Sequence, residues 1–361
     1  MSFSISADRF FDGGQWQTGT ISISNGVIES IGSTTTPDKH YAGCFIAPAF
    51  IEIQIYGAHE KLLAVYPEVE ALHKLYDYCT SGGATLFLPT VATNTPDVFR
   101  QCIDAVRDYW AAGGKGIWGL HLEGPWINAK KRGAHIADFI HSPSLEEVVE
   151  MLEYGKDVIK IITLAPEVCS AEVIEVIRSY DITISAGHSN ASFEEATMAF
   201  NNGIGAATHL YNAMSPLQHR APGLVGACLL HPTAKASIIA DGYHVDFEAI
   251  KIAKELMGSR LFVITDAVTE TTEGPYQHQL VGGDRYECNG VLSGSAMTMH
   301  SSFVNLVKKA SVSVEEALRM CSLYPAQVIG ADEKFGRIAP QYAAQFVVLN
   351  NDLQLVEVIT S

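Results

Sequence analysis

Positive charge is what this chain has least of. Against 24 lysines and arginines stand 40 aspartates and glutamates, a formal net charge of −16. That balance argues against nucleic acid and against an anionic membrane surface as partners, and an anionic substrate would need a locally positive pocket. No apolar run approaches the roughly 20 residues that span a bilayer, and the opening MSFSISADRFFDGG has neither a basic n-region nor an apolar core. The seven cysteines (Cys44, Cys79, Cys102, Cys169, Cys228, Cys288, Cys321) are odd in number, scattered and without a CxxC pair. A reduced, cytoplasmic protein that uses them as small buried residues is the expectation. Also absent are a GxGxxG after any strand candidate, a Walker loop, a GxSxG elbow and any low-complexity tract or long-period repeat. Dinucleotide, P-loop and serine-hydrolase chemistry therefore have no support.

What the chain does have is apolar residues, 47% of 361, enough for a large core in one or two domains. Its organising stretch is residues 182–214, ITISAGHSNASFEEATMAFNNGIGAATHLYNAM. Two apolar runs end there on His188 and His209. Between them Ser192, with Glu195 three residues on, opens a helical pattern in capping-box spacing, and Gly203 closes it. Strand, helix, strand in this compass is a βαβ unit, whose parallel strands put both histidines at the carboxyl-terminal sheet edge.

The pattern recurs. Eight apolar strand candidates stop at turn-prone residues: AFIEIQI, TLFLPT, IWGLHLEG, VIKIITLAPE, ITISAGH, GAATHLYN, KASIIADG and RLFVITDA. Helical patterns separate most of them. The interval 217–234 is interrupted by Pro222 and Pro232, and after a loop one further helix is expected over 313–330, opened by Ser313 and Glu316. Continuous apolar strands without alternation predict a (β/α)₈ barrel, with an open doubly wound sheet as the other arrangement considered. The chain ends differ: GTISISNGVIESIG carries a hairpin signal at Asn25-Gly26, and the tail from Phe335 returns to strand-like residues. Residues 1–46 and 335–361 are expected to pair as a small β-sandwich domain beside a barrel of residues 47–334.

Glu123, His188, His209 and Asp266 end the third, fifth, sixth and eighth strand candidates, and His244 follows the seventh. Singly, each is readily explained as a structural hydrogen-bonding residue. Five at one barrel edge suit metal-assisted hydrolysis. One carboxylate and two imidazoles leave a position open for water, Asp266 is placed to move its proton, and His244 to polarise a carbonyl or hold substrate.

HLEGPWIN (121–128), AGHSNA (186–191), THLYNAM (208–214), DGYH (241–244), TDA (265–267) and SGSAMTM (293–299) resemble the successive motifs of the N-acetylglucosamine-6-phosphate deacetylases in the amidohydrolase superfamily. The resemblance runs from PAFIEIQ to GRIAPQYAAQFVVL. It implies a metal-dependent barrel with a small β-sandwich built from both chain ends. It also implies release of acetate from an amino-sugar phosphate, giving glucosamine 6-phosphate. By it, Glu123, His188 and His209 are metal ligands, Asp266 the catalytic base and His244 a substrate contact. Asn212 and Ala213 match a phosphate-binding turn, and Ala134, His135, Leu292, Ser293 and Gly294 match positions lining the sugar. Arg220 matches a phosphate-binding arginine that reaches across a dimer boundary, which implies a homodimer. For a chain this acidic, guanidinium–phosphate pairing is a reasonable local cation.

The chain departs from the family pattern in three places. Many amidohydrolases end the first strand with His-x-His, which holds a second metal; here it reads Gln54-Ile55-Tyr56. Some of the deacetylases also carry the glutamine. Both side chains are poor ligands, so one divalent metal per subunit is expected: zinc by default, with iron, manganese or cobalt able to use the same set. Glu52 replaces a usual aspartate, and Gln341 and Gln345 replace a glycine and an aspartate in the tail. The other readings considered are the N-acetylgalactosamine 6-phosphate isomer as substrate, a deaminase or cyclic-amide hydrolase, and a catalytically silent sugar-phosphate-binding barrel.

Overall fold

The computed structural model describes residues 2–32 and 36–360. Eight strands form one parallel sheet in chain order: Phe50–Ile55, Ala84–Ala92, Leu120–Glu123, Ile159–Leu164, Thr183–Ala186, Ala206–Ala207, Lys235–Ile239 and Leu261–Ile264. The first and second strands are buried at every position, which is why they read as unbroken apolar runs: both faces are covered. The eighth strand returns to the first through a parallel bridge of Ile55 with Ala267, and Gln54 and Tyr56 exchange backbone hydrogen bonds with Asp266 and Ala267. The sheet is a nearly closed barrel.

Helices pack outside it, and local chemistry sets where they start. Thr95, Ser144, Ser170, Ser192 and Asp246 each accept a backbone N–H of the first turn, a contribution of about 1 kcal/mol each. Ser192 and Glu195 form the full reciprocal capping box. In the interrupted sixth interval the helix is short, Gly223–Leu230, and starts at Pro222.

Both chain ends meet in a seven-stranded mixed sheet. Its order is Leu355–Ile359, Phe346–Asn350, Lys39–Pro48, Ser2–Phe11, Thr20–Ser24 and Val27–Gly32, with Trp16–Gln17 on the side of Ser2–Phe11. Asn25 and Gly26 both have positive φ, 50° and 79°, as a type I′ hairpin turn requires. The sheet has its own apolar core, including Ile5, Phe10, Ile21, Ile46 and Phe346. Met1, residues 33–35 and Ser361, inside the bounds expected for this domain, lie outside the described residues. Among the described residues no helix is long and apolar enough to cross a membrane, and all seven cysteines are free.

Two expectations are corrected. The helix expected over 313–330 is two, Val314–Cys321 and Leu323–Val328, broken at Ser322 (φ −133°, ψ −72°). Pro325 has no N–H to bond the Cys321 carbonyl, so the first helix stops there. The segment before it is no loop. It contains a three-stranded antiparallel sheet, His278–Val281, Arg285–Cys288 and Val291–Ser295, and a helix, Met299–Lys308.

Glu52 ties the first strand to the eighth: Oε1 accepts the Gln54 N–H at 2.9 Å and Oε2 the Thr265 N–H at 2.9 Å. Its burial pushes the carboxyl pKa up from 4.5 to about 8, against the pull of those hydrogen bonds. The folded chain thus holds this proton more tightly than the unfolded one. Its contribution to stability is complete below about 4.5 and is lost as pH rises through about 8. The melting temperature is therefore expected to fall more steeply from about pH 7 to about pH 9 in the unaltered protein than in Glu52→Gln, which cannot ionise. Equal slopes in the two would show that Glu52 does not titrate in this range.

Candidate active site

A cavity of about 170 Å³ opens at the carboxyl-terminal mouth of the barrel. It is lined by Glu123, Ala134, His135, His188, His209, Asn212, Ala213, His244, Asp266, Leu292 and Ser293, with Tyr56, Tyr276 and His278. The structure thus brings together all but two of the residues singled out from the sequence. Gly294 lies behind the wall: a Cβ there would sit 2.9 Å from the Asp266 carbonyl oxygen. Arg220 is exposed on the loop between Pro216 and Pro222 and does not line the cavity of its own chain.

Three strand ends are strained in the same way. His188, His209 and Asp266 have φ of +47°, +39° and +56°, a region that costs a non-glycine residue on the order of 1–3 kcal/mol. Neighbours hold each in place. Asn128 donates its N–H to the His188 carbonyl, Ser237 Oγ accepts the His209 N–H at 2.7 Å, and Asp266 exchanges backbone bonds with Gln54 and Ser295. The turns aim all three side chains into the barrel mouth.

At the centre, Oε1 of Glu123 lies 3.4 Å from His188 Nε2 and 3.2 Å from His209 Nε2, and the two nitrogens are 3.0 Å apart. His188 Nδ1 faces the Lys131 carbonyl at 2.9 Å and must donate there, leaving its Nε2 lone pair bare. Three lone-pair atoms facing one point repel one another unless a cation or a proton lies between them. Bond lengths of roughly 2.0–2.1 Å in a tetrahedral site put neighbouring ligand atoms about 3.3 Å apart, which these edges match. The donor set therefore fits a divalent metal. His135 also stands close, its ligand atoms within 4.8 Å of those of Glu123 and His188. It is otherwise engaged: Nδ1 lies 2.7 Å from Thr93 Oγ1, and Nε2 is 3.1 Å from Glu123 Oε2, the oxygen turned away from His188 and His209.

Electrostatics follow from this crowding. Burial works to raise the Glu123 carboxyl, but the three neighbouring imidazoles, His188 first and then His135 and His209, outweigh it and hold its pKa well below the usual range. Burial opposes charge on His209, yet Glu123 overrides it and raises that pKa. Asp266 is raised, chiefly by burial. His135 is pushed down to about 4, first by burial and then by His188, and so is neutral.

Some residues of the site were not foreseen. Asp241 Oδ2 lies 2.6 Å from His244 Nδ1, while its Oδ1 accepts the backbone N–H groups of Tyr243 and His244 at 2.8 Å. It fixes the imidazole so that Nε2 is free for the cavity. Tyr276 and His278, from the unexpected small sheet and its approach, stack with an interplanar angle of 12°. Tyr276 donates to the Thr93 carbonyl at 2.6 Å, and His278 Nδ1 is 2.9 Å from Ser293 Oγ. Asn289-Gly290 in this sheet, with φ of 53° and 76°, carries the same hairpin signal as Asn25-Gly26.

The model of the amidohydrolase family matches residues 79–360. An N-acetylglucosamine-6-phosphate deacetylase of Haemophilus influenzae is 31% identical over 326 residues, covering 88% of this chain and 85% of that protein. The crystal structure of the Pasteurella multocida N-acetylglucosamine-6-phosphate deacetylase superposes with a TM-score of 0.94 at 29% identity, over 100% of this chain and 98% of that one. A mutant of the Mycobacterium smegmatis enzyme, in complex with N-acetyl-D-glucosamine 6-phosphate, shares the fold with a TM-score of 0.92 at 23% identity, over 99% and 98% of the two chains.

Proposed function

Because the chain belongs to the amidohydrolase family, among its N-acetylglucosamine-6-phosphate deacetylases, we propose that it hydrolyses the acetamide of N-acetyl-D-glucosamine 6-phosphate to acetate and D-glucosamine 6-phosphate. The observation that carries this reading is the buried triangle of Glu123, His188 and His209 with Asp266 in the same cavity. Those three residues would hold one divalent ion, zinc by donor type, though iron, manganese or cobalt suit the same atoms. Such an ion supplies Lewis acidity, activating water and polarising the acetamide carbonyl.

The protein's own residues do the rest. Asp266 takes the proton from the attacking water as the new carbon–oxygen bond forms. It then delivers that proton to the amine nitrogen as the carbon–nitrogen bond breaks. His244, fixed by Asp241, holds the acetamide oxygen and stabilises its developing charge. Ala134, His135, Leu292, Ser293 and Gly294 are assigned to the sugar, and Asn212 and Ala213 to the phosphate.

The exposed Arg220 is assigned to the phosphate in the site of a second copy, so the working unit in this reading is a homodimer. The division of the chain at 46/47 and 334/335 and a cytoplasmic location belong to the same reading.

The test is acetate release from N-acetylglucosamine 6-phosphate and from unphosphorylated N-acetylglucosamine by metal-replete protein. Turnover of the phosphorylated sugar alone is expected. Equal rates on both would remove the phosphate roles of Asn212 and Arg220. Acetate from the galactosamine isomer alone would move the substrate to that epimer, and none from any of the three would favour a silent sugar-phosphate-binding barrel. Arg220→Ala is expected to raise KM for the phosphorylated sugar about 10-fold or more, as loss of a charge-assisted pair of roughly 1.5–3 kcal/mol does, with little change in kcat. An unchanged KM would remove Arg220 from the site.

A further inference from the structure

The first barrel strand delivers two buried polar side chains, Gln54 and Tyr56, that the reaction above does not use. The Tyr56 hydroxyl lies 2.5 Å from Glu123 Oε2 and 3.2 Å from Asp266 Oδ1. Gln54 Nε2 is 2.8 Å from that hydroxyl, 3.0 Å from Glu123 Oε1 and 2.7 Å from Asp266 Oδ1. Two buried carboxylates are thus bridged by neutral donors. A phenol between two carboxylates keeps its one hydrogen, and the shorter contact assigns it to Glu123 Oε2. The carboxamide nitrogen of Gln54 faces this group of oxygens, and its two hydrogens suit Glu123 Oε1 and Asp266 Oδ1, which makes Gln54 the donor that joins the two carboxylates.

The two oxygens of Glu123 consequently differ. Oε2 accepts from Tyr56 and from His135 Nε2 at 3.1 Å, and His135 is itself anchored on Thr93 Oγ1 at 2.7 Å. Oε1 is the oxygen that faces His188 and His209. Rotating the carboxylate toward two-oxygen binding would break both bonds to Oε2. Resting on the metal-dependent reading above, we propose that Tyr56 is a positioning residue: backed by His135, its hydroxyl fixes Glu123 so that Oε1 alone serves the metal, and with Gln54 it fills the gap to Asp266 that a second cation would otherwise occupy. The single-metal site is then actively built by a hydrogen-bonded bridge, and is more than the result of missing ligands.

Tyr56→Phe removes one oxygen and keeps the ring. The probe is Zn²⁺ alone, its affinity read by competition with a chromophoric chelator, beside steady-state kinetics and the melting temperature. Partners that orient a ligand are typically worth about 10- to 100-fold in metal affinity or activity. Zn²⁺ affinity is expected to fall within that range, with a lower kcat at saturating metal and a KM within about threefold of the unaltered protein. Gln54→His/Tyr56→His, which replaces the bridge by two imidazoles, is expected to bind two Zn²⁺ per subunit where the unaltered protein binds one. Unchanged Zn²⁺ affinity in Tyr56→Phe would overturn the proposal whatever the double variant does, as would a folded double variant that still binds one. The affinity is read without substrate, so it stands or falls apart from the choice of the N-acetylated sugar phosphate.

Discussion

Asp266→Asn is expected to lose acetate release by about two to four orders of magnitude, the usual worth of a positioned acid–base group, while binding metal like the unaltered protein. The substitution keeps size and shape. Oδ1 accepts from Gln54 at 2.7 Å, and the carbonyl oxygen of asparagine can keep that bond. What it cannot do is receive a proton from water and return it to the leaving amine. Asp266 lies outside the Glu123, His188 and His209 triangle, so metal content should stay unchanged and the loss should fall on kcat. Metal analysis and steady-state kinetics on the same preparation separate the two effects. An asparagine variant turning over at near the unaltered rate would remove Asp266 as the base.

His188→Ala should fail one step earlier, at the metal itself. His188 Nδ1 is committed to the Lys131 carbonyl, so its whole contribution to the site runs through Nε2. A structural zinc site with four ligands is worth roughly 10–16 kcal/mol. Losing one ligand of such a set should weaken metal binding by about a hundred- to a thousandfold. Acetate release should fall with occupancy and recover in part at high metal concentration. Added imidazole, filling the space the side chain leaves, should restore some of both, a recovery that a purely structural histidine would not show. A variant that kept its metal affinity would place the ion elsewhere, and His135 would be the first residue to re-examine.

The barrel was legible because a strand covered on both faces must be apolar throughout, and a run such as ITISAGH then announces both the strand and the polar residue at its end. The same logic places Glu123, His188, His209, His244 and Asp266 at one edge of the barrel. Asp241 was hidden because Asp-Gly-Tyr-His reads as an ordinary turn, and only the fold shows its carboxylate against the His244 ring. The helix Met299–Lys308 was hidden because its capping box uses Ser301 in place of glutamate. The small sheet over 278–295 did carry a signal, Asn289-Gly290. Its flanking strands are only half-buried and lack the apolar alternation that marks Asn25-Gly26. Gln54 and Tyr56 were legible as poor metal ligands. Their work as donors depends on Glu123 and Asp266, 67 and 210 residues away from Tyr56, and no local pattern carries that.

The most direct test of the site is a titration of Zn²⁺ into metal-free protein, with acetate release from N-acetylglucosamine 6-phosphate measured at each addition. Rate should rise from the chelated baseline in proportion to added metal and break sharply at one equivalent per subunit. Undiminished acetate release from the metal-free protein, or a rise that continues to two equivalents, would contradict the single-metal hydrolytic site built from Glu123, His188 and His209.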